Sequence, residues 1–143
     1  MRSLALQDGD QELIDAAAEL IHKRFVRGRH HVAAAVRGES GAVYTGLDIA
    51  ATAARASVCA EAIAIGRGLT VGETGFITIV GMMHPLEASD ESPQVWGGVP
   101  CGLCRELLAD YMPDGFVIMP LGGEMHRVSV SDLLPLKHTA ELT

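Results

Sequence analysis

The three cysteines of this sequence constrain its fold more than any other feature. Cys101 and Cys104 are spaced as Cys-x-x-Cys, and the third cysteine lies earlier, in the segment Cys59-Ala60-Glu61. An odd number of cysteines with this spacing indicates metal or redox chemistry rather than structural disulfides. Residues one helical turn apart share a helix face, so Cys101 and Cys104 can face one ion. A fold that uses all three must bring Cys59 to the same place.

Length and charge limit the classes of protein to consider. The chain has 143 residues, of which 48% are hydrophobic, so we predict one domain with one core over residues 1–143. Its formal net charge of -7 gives no basic footprint for nucleic acid. The sequence has no apolar run near the roughly 18 residues of a membrane span and no signal-peptide core. We therefore expect a cytoplasmic protein without membrane or nucleic-acid partners.

The pattern of apolar residues predicts alternating helices and strands. Helices are expected at 11–25, 56–67 and 101–111, followed by a short helix capped by Ser131; Asp8 or Asp10 is expected to cap the first. Strands are expected at 31–36, 42–49, 76–80, 116–119 and 124–130. Residues 84–99 are polar and proline-containing, which predicts a long loop. This order predicts an α/β fold with helices on both faces of one mixed sheet.

The residues around the cysteines indicate a catalytic zinc ion. Zinc takes four tetrahedral ligands, and a catalytic site leaves one position for water, so three thiolates suffice. Glu61 lies near the metal without being forced to bind it, which suits a group that moves protons. Zinc nucleobase deaminases carry such a Cys-x-Glu followed by Pro-Cys-x-x-Cys. The pattern predicts Cys59, Cys101 and Cys104 as Zn²⁺ ligands and Glu61 as the catalytic acid and base. A structural zinc site would lack its fourth cysteine, and a redox pair would leave Glu61 unexplained.

Several stretches resemble the small cytidine deaminases and, less closely, the blasticidin S deaminases. The resemblance is carried by residues 31–35, 43–49, 58–61, 100–108 and 130–135. It implies a three-layer α/β/α sandwich around a five-stranded mixed sheet. It also implies a homotetramer, or alternatively a homodimer, with active sites at subunit contacts. The implied reaction is that of pyrimidine salvage: water and an aminopyrimidine nucleoside, cytidine or deoxycytidine, react to release ammonia.

The chain departs from this family where the sugar is expected to bind. Asp48 and Ala50 stand where the family has an asparagine and a glutamate that bind the ribose hydroxyl. Asp48 can accept a hydrogen bond but cannot donate one, and Ala50 offers neither. His30 replaces an aromatic residue and can still stack on a ring. We predict substrate contacts at Asp48, His30 and Ala60, and keep open a different substrate: blasticidin S, or a modified or free cytosine-like base. A non-catalytic, zinc-stabilised binding module is the remaining alternative.

Three further residues have two interpretations each. Many cysteine-ligated members place an arginine after the catalytic glutamate, where this chain has Ala62. Arg105 is therefore predicted to offset the thiolate charge, the alternative being a solvated helix residue. Trp96 is expected either to cover the pocket or to pack on a neighbouring subunit. His84 is expected at the surface of the loop rather than near the metal.

Overall fold

The computed structural model describes residues 2–86 and 94–140 of the chain. In this part of the chain, one sheet contains the strands β1 (Ser3–Leu4), β2 (Val32–Gly38), β3 (Val43–Leu47), β4 (Phe76–Met83), β5 (Trp96–Gly97), β6 (Phe116–Leu121) and β7 (Glu124–Ser129). The helices are α1 (Asp10–Arg24), α2 (Ala60–Thr70), α3 (Gly102–Tyr111) and α4 (Val130–Leu133). A 3₁₀ turn at Ala54–Ala56 precedes α2. Within these ranges, no helix is long and apolar enough to span a membrane.

The sheet is mixed, as predicted. Its strand order is β1-β7-β6-β4-β2-β3, and β5 pairs with the end of β4. Strands β4 and β6 run parallel, whereas the other paired strands are antiparallel. The five predicted strands correspond to the five longer strands, which are β2, β3, β4, β6 and β7. The sheet also includes β1 and β5, which have two residues each and are too short to leave an alternating pattern in the sequence.

Apolar side chains on both faces of the sheet form two cores. Neighbouring residues on a strand point to opposite faces, and on β2 Ala35 joins one core while Ala34 and Val36 join the other. The core under α1 contains Leu13, Ile14, Ala17, Ala35, Val80, Met82 and Ile118. The core under α2, α3 and α4 includes Ala34, Val36, Ala60, Ala64, Ile65, Leu108, Val117 and Leu133. This confirms the three-layer arrangement and places α2 and α3 side by side on one face.

The predicted ends of two helices need correction. Helix α2 begins at Ala60 rather than at residue 56, because the preceding residues form the separate 3₁₀ turn and an extended link. The last helix begins at Val130 after Ser129, so Ser131 is not its cap.

The start of α1 also differs from the prediction. Its N-cap is Gly9, with φ of 89°, rather than Asp8 or Asp10. The Asp10 carboxylate instead accepts a hydrogen bond from the Gln7 amide at 2.8 Å, just before the helix. A glycine adopts this left-handed conformation without steric cost.

The predicted loop at 84–99 is only partly within the described residues. Residues 87–93 lie outside them. Trp96 and Gly97 form β5, and the Gly98 amide donates to the Gly81 carbonyl at 2.8 Å. His84 is 5% exposed, because its ring stacks on Phe25 with centroids 3.6 Å apart. The expectation of a surface histidine was therefore wrong.

Gly46 allows α2 to pack directly on β3. A Cβ at Gly46 would lie 2.4 Å from the Ala64 amide nitrogen and 2.6 Å from the Ala60 carbonyl oxygen. These are backbone atoms of α2, so the helix that carries Cys59 and Glu61 would have to move. Close packing at Gly46 therefore sets the distance between the sheet and the start of α2, where Cys59 and Glu61 lie.

We expect Gly46→Ala to destabilise the protein by about 1–3 kcal/mol, the usual effect of overpacking a core. The measurement is the midpoint of urea unfolding. Gly66→Ala is the matched control, because a Cβ at this α2 position meets no atom within 4 Å. That control should be neutral or stabilising, by about 0.5–1 kcal/mol. Equal midpoints for the two variants would contradict the packing argument.

Candidate active site

The three cysteines meet where two helices begin. Cys59 is the N-cap residue of α2 and Cys101 that of α3, each with an extended backbone. Cys104 follows in the first turn of α3 and is 2% exposed. The first amides of a helix lack partners within the helix and carry partial positive charge. The predicted start of α3 at residue 101 is confirmed to within one residue, whereas α2 begins four residues later than predicted, directly after Cys59.

The sulfur atoms are close enough to bind one ion. Cys59 Sγ lies 3.5 Å from Cys101 Sγ, and all three sulfurs lie within 4.8 Å of one another. Tetrahedral zinc with Zn–S bonds of about 2.3 Å would hold its sulfurs about 3.8 Å apart. The donor set therefore fits a soft, thiolate-binding metal such as zinc.

The electrostatics of the cluster support the same conclusion. Burial raises the pKa of the Cys104 thiol, and the negative charges of Glu61, Cys59 and Cys101 raise it further. Burial, together with the Cys101 side chain, also raises the pKa of Cys59. At Cys101 burial acts in the same direction, but hydrogen bonds from the Cys104 amide and the other two thiols outweigh it and lower the pKa. Ionisation of all three thiols at once is unfavourable without a cation, so the cluster suits a metal ion that displaces their protons.

Glu61 lies beside the sulfurs in the first turn of α2. Cys104 Sγ donates to Glu61 Oε2 at 3.5 Å. The other oxygen, Oε1, lies above Gly81 on β4, where an added Cβ would come within 3.2 Å of it. Gly81 therefore leaves space for the Glu61 carboxylate.

We expect Gly81→Ala to lower kcat by roughly 10- to 100-fold, because small displacements of a reacting group cost that much. Stability should change little, since the crowded atom ends a side chain. Zinc content should be unchanged, as the added methyl group is directed at Glu61. The measurement is steady-state kinetics with metal analysis on the same sample. Unaltered kcat would show that Gly81 does not set the position of Glu61.

Glu61, Cys59 and Cys101 line a cavity of about 360 Å³. Asp48 and Ala60 also line it, and contact of either residue with the substrate stays a prediction. Asp48 Oδ1 accepts hydrogen bonds from the His31 and Val32 amides at 2.8 and 3.1 Å. These bonds tie the end of β3 to the start of β2 and fix the carboxylate at the cavity wall.

His30 lies apart from this cavity. Its Nδ1 donates to the Asp48 carbonyl at 2.7 Å, and it lines a separate surface depression together with Leu20, Arg24 and Arg67. The structure thus joins His30 to Asp48 through the backbone. Stacking of His30 on the substrate ring stays a prediction.

Arg105 binds two carbonyl oxygens near the metal cluster. Its Nε donates to Pro100 at 2.9 Å and its Nη1 donates to Leu133 at 3.2 Å. These bonds hold the segment before Cys101 against α4. Because both acceptors are carbonyls, the predicted offsetting of thiolate charge by Arg105 stays a prediction.

Several residues of the cavity were not predicted from the sequence. Gly81 and Met83 come from β4, Ser57 and Val58 from the link before α2, and Leu103 from α3. A glycine inside a strand is the one signal that could have been used, since it often marks a close approach. The others depend on strand register and loop path, which the sequence pattern does not specify.

The chain is similar to two deaminases over most of its length. No protein-family model matches the chain. The chain is 39% identical over 140 residues to the blasticidin-S deaminase of Bacillus cereus, covering 97% of this chain and 99% of that protein. It is 30% identical over 115 residues to a cytidine deaminase of Halalkalibacterium halodurans, covering 79% and 80%. The chain belongs to the cytidine deaminase family. It is therefore an enzyme, a hydrolytic deaminase.

Solved structures of cytidine deaminases share the fold. The protein from Burkholderia pseudomallei superposes with a TM-score of 0.71 at 25% identity, over 90% of this chain and 98% of that one. The protein from Bacillus anthracis gives 0.73 at 23%, over 89% and 87%. The protein from Mycobacterium tuberculosis gives 0.71 at 20%, over 94% and 100%. The latter two likenesses concern the fold alone.

Proposed function

We propose that this enzyme performs zinc-dependent hydrolytic deamination of an aminopyrimidine nucleoside, with cytidine or deoxycytidine converted to the uridine and ammonia released. The observation that carries the proposal is that three thiols meet beside Glu61, where Cys59, Cys101 and Glu61 line one cavity. A purely structural zinc site would not need a carboxylate beside the sulfurs.

Cys59, Cys101 and Cys104 would hold the zinc ion. When bound, zinc supplies Lewis acidity that makes water a competent nucleophile near neutral pH. The helix starts at Cys59 and Cys101 direct partial positive charge towards the thiolates and favour their ionised form. The cysteines thus position the ion beside Glu61, which remains available for proton transfer.

Glu61 moves the protons of the reaction. It takes a proton from the attacking water while the water oxygen bonds to the ring carbon that bears the amino group. It delivers that proton to the ring nitrogen. It then takes the remaining proton from the hydroxyl group formed on that carbon and delivers it to the leaving amine, so that the carbon–nitrogen bond breaks, a carbonyl forms and ammonia departs. One substrate and one water are consumed, and one carboxylate serves as base and then acid.

Blasticidin S is the second candidate substrate, and two observations favour it. Identity to the Bacillus cereus blasticidin-S deaminase extends over nearly the whole chain and exceeds that to the cytidine deaminase. In addition, Ala50 lines the cavity and offers no polar group where a ribose-binding side chain is expected. A site that lacks a hydrogen-bonding partner discriminates poorly for the group it should bind. The chemistry at Glu61 would be the same.

The test is ammonia release from cytidine, deoxycytidine, cytosine, modified cytosines and blasticidin S, together with zinc analysis of the purified protein. We expect about one zinc per chain and turnover of at least one nucleoside. Zinc without ammonia release from any of them would favour a zinc-stabilised binding module. Free cytosine as the best substrate would overturn the nucleoside assignment.

We further propose that the chain works as one domain, residues 1–143, in a cytoplasmic homotetramer. Supporting this, apolar side chains are exposed at the cavity mouth, including Leu103 at 79%, Val99 and Ile49. Exposed apolar patches commonly mark subunit contacts. Sedimentation equilibrium measures the state, and a monomer active at assay concentration would contradict the proposal.

A further inference from the structure

One carboxylate oxygen at the cavity wall is not used by the fold. Asp48 Oδ1 accepts the two amide hydrogen bonds from His31 and Val32. Within residues 2–86 and 94–140, Oδ2 has no hydrogen-bond or ion-pair partner. The two donors on Oδ1 fix the direction of the side chain. The fold therefore presents an oriented, unneutralised acceptor at the cavity.

The described surroundings of Asp48 in the cavity are acidic. The cavity lining includes Asp48, Glu61, Cys59 and Cys101, and no lysine, arginine or histidine belongs to its described lining. Three thiolates outweigh the charge of one divalent zinc ion, so a bound metal would not reverse this balance. Arg29 donates to the Ala50 carbonyl at 3.4 Å, but its side chain is exposed, as is that of Arg55. Water and salt screen such exposed charges.

The neighbouring groups on this wall carry no charge. Ala50 has only a methyl group, and Ser57 Oγ accepts a hydrogen bond from the Ala51 amide at 2.9 Å, which leaves its hydroxyl as a neutral donor. A neutral hydroxyl could donate to Asp48 Oδ2. A cation would do so more strongly, because hydrogen bonds between charged partners are roughly twice as strong as neutral ones. It would also neutralise a carboxylate that otherwise stays uncompensated in a partly apolar cavity.

We propose that Asp48 selects substrates that carry a cationic amino group on their sugar part. This rests on the proposed function, in which the reacting amino group lies at Glu61 and the sulfurs and the sugar lies farther along the cavity. The substrate class is an unphosphorylated aminonucleoside with a cytosine-type ring. A phosphate group is disfavoured, because it would bring negative charge to a lining that holds Asp48 and Glu61.

The test compares kcat/KM for cytidine and for 3′-amino-3′-deoxycytidine, assayed below the pKa of the amine, in wild type and Asp48→Asn. Asparagine keeps an oxygen for the His31 and Val32 amides and removes the charge. We expect wild type to prefer the amine, and Asp48→Asn to reduce that preference by roughly 10- to 100-fold, the range for a hydrogen bond to a charged group. The change should appear mainly in KM. Asp114→Asn, the same replacement on an exposed turn, should leave the ratio unchanged.

A second measurement needs no variant and covers the case in which Asp48→Asn fails to fold. In wild type, KM for the aminonucleoside should rise as pH passes the pKa of its amine, while KM for cytidine should not follow this rise. Cytidine 5′-monophosphate should be turned over more slowly than cytidine. Equal preference in wild type and Asp48→Asn, or no differential rise in KM, would overturn the role of Asp48 and leave the deaminase function intact. Ammonia release from neither nucleoside would overturn the proposed function, and the inference with it.

Discussion

Glu61→Gln should lower kcat by about 10²–10⁴-fold, the usual contribution of a positioned general acid and base. Glutamine has nearly the same shape, so the contact with Cys104 and the space above Gly81 are preserved. It cannot take a proton from water or return one to the leaving amine. Binding of substrate and metal depends on other groups, so KM and zinc content should change far less than kcat.

The measurement is ammonia release under saturating substrate, with zinc and thermal stability determined on the same preparation. Glu19→Gln is the matched control, because Glu19 is exposed on α1 and its partner Lys23 is exposed too. That surface pair should contribute little, and kcat should match wild type. Retention of more than about a tenth of kcat in Glu61→Gln would mean that another group moves the protons, since loss of a general acid–base costs more than that.

The grouping of the three cysteines and Glu61 could be predicted from sequence because it depends largely on local spacing. Cys101 and Cys104 lie one helical turn apart, and Glu61 follows Cys59 at the start of another helix. Spacings within one helix place residues on the same face regardless of how the helix packs in the rest of the fold. The apolar run at 31–36 likewise predicted a strand, and Ala34 and Ala35 of that strand lie in opposite cores. The fold class followed from the order of these elements.

The shape of the cavity could not be predicted in this way, because it depends on register between distant strands. Gly81 lies under Glu61 only because β4 pairs with β2 so that Gly81 faces Ala34. A slip of one residue would place a side chain there instead. His84 is a similar case, because its burial against Phe25 joins the end of β4 to the end of α1. The periodicity of the sequence does not predict that contact, because the two residues are far apart in the chain.

A buried cluster of polar side chains on the opposite face of the sheet could not be predicted from local sequence either. Arg127 Nε lies 3.3 Å from Asp10 Oδ2, and Arg127 Nη2 donates to Thr78 at 2.6 Å. All three residues are buried. Asp10 was interpreted as a possible helix cap because only its local context was visible. Its partner lies on β7, so the ion pair depends on the completed sheet.

Cys104→Ala is expected to abolish tight zinc binding and to lower turnover by more than about 10³-fold, since in the proposed mechanism zinc would supply the activated water. The side chain provides one of three sulfurs and lies at the buried side of the cluster. Two remaining thiols give zinc an incomplete set of protein ligands. Zinc per chain after dialysis is the first measurement, and ammonia release is the second.

Thermal unfolding distinguishes loss of the metal site from loss of the fold. A ligand present at about 100 times its Kd stabilises the native state by about 2.7 kcal/mol, and each kcal/mol shifts Tm by roughly 2–4 °C in a protein slightly larger than this one. Chelation should therefore lower the Tm of wild type by at least about 5 °C, and leave that of Cys104→Ala unchanged. Val117→Ala is the control: its side chain lies in the core under α2 and α3, so the variant should be less stable yet still lose Tm on chelation.

The sign of the pH dependence follows from the thiol pKa values. Burial and neighbouring negative charge raise the pKa of Cys104, so in the metal-free protein this thiol keeps its proton through the neutral range. Zinc must displace that proton, so its affinity rises with pH and falls as pH is lowered. The Tm difference between zinc-loaded and chelated wild type should accordingly be larger at pH 8 than at pH 6. A difference that is independent of pH, or one that persists in Cys104→Ala, would place the stabilising metal outside the three sulfurs.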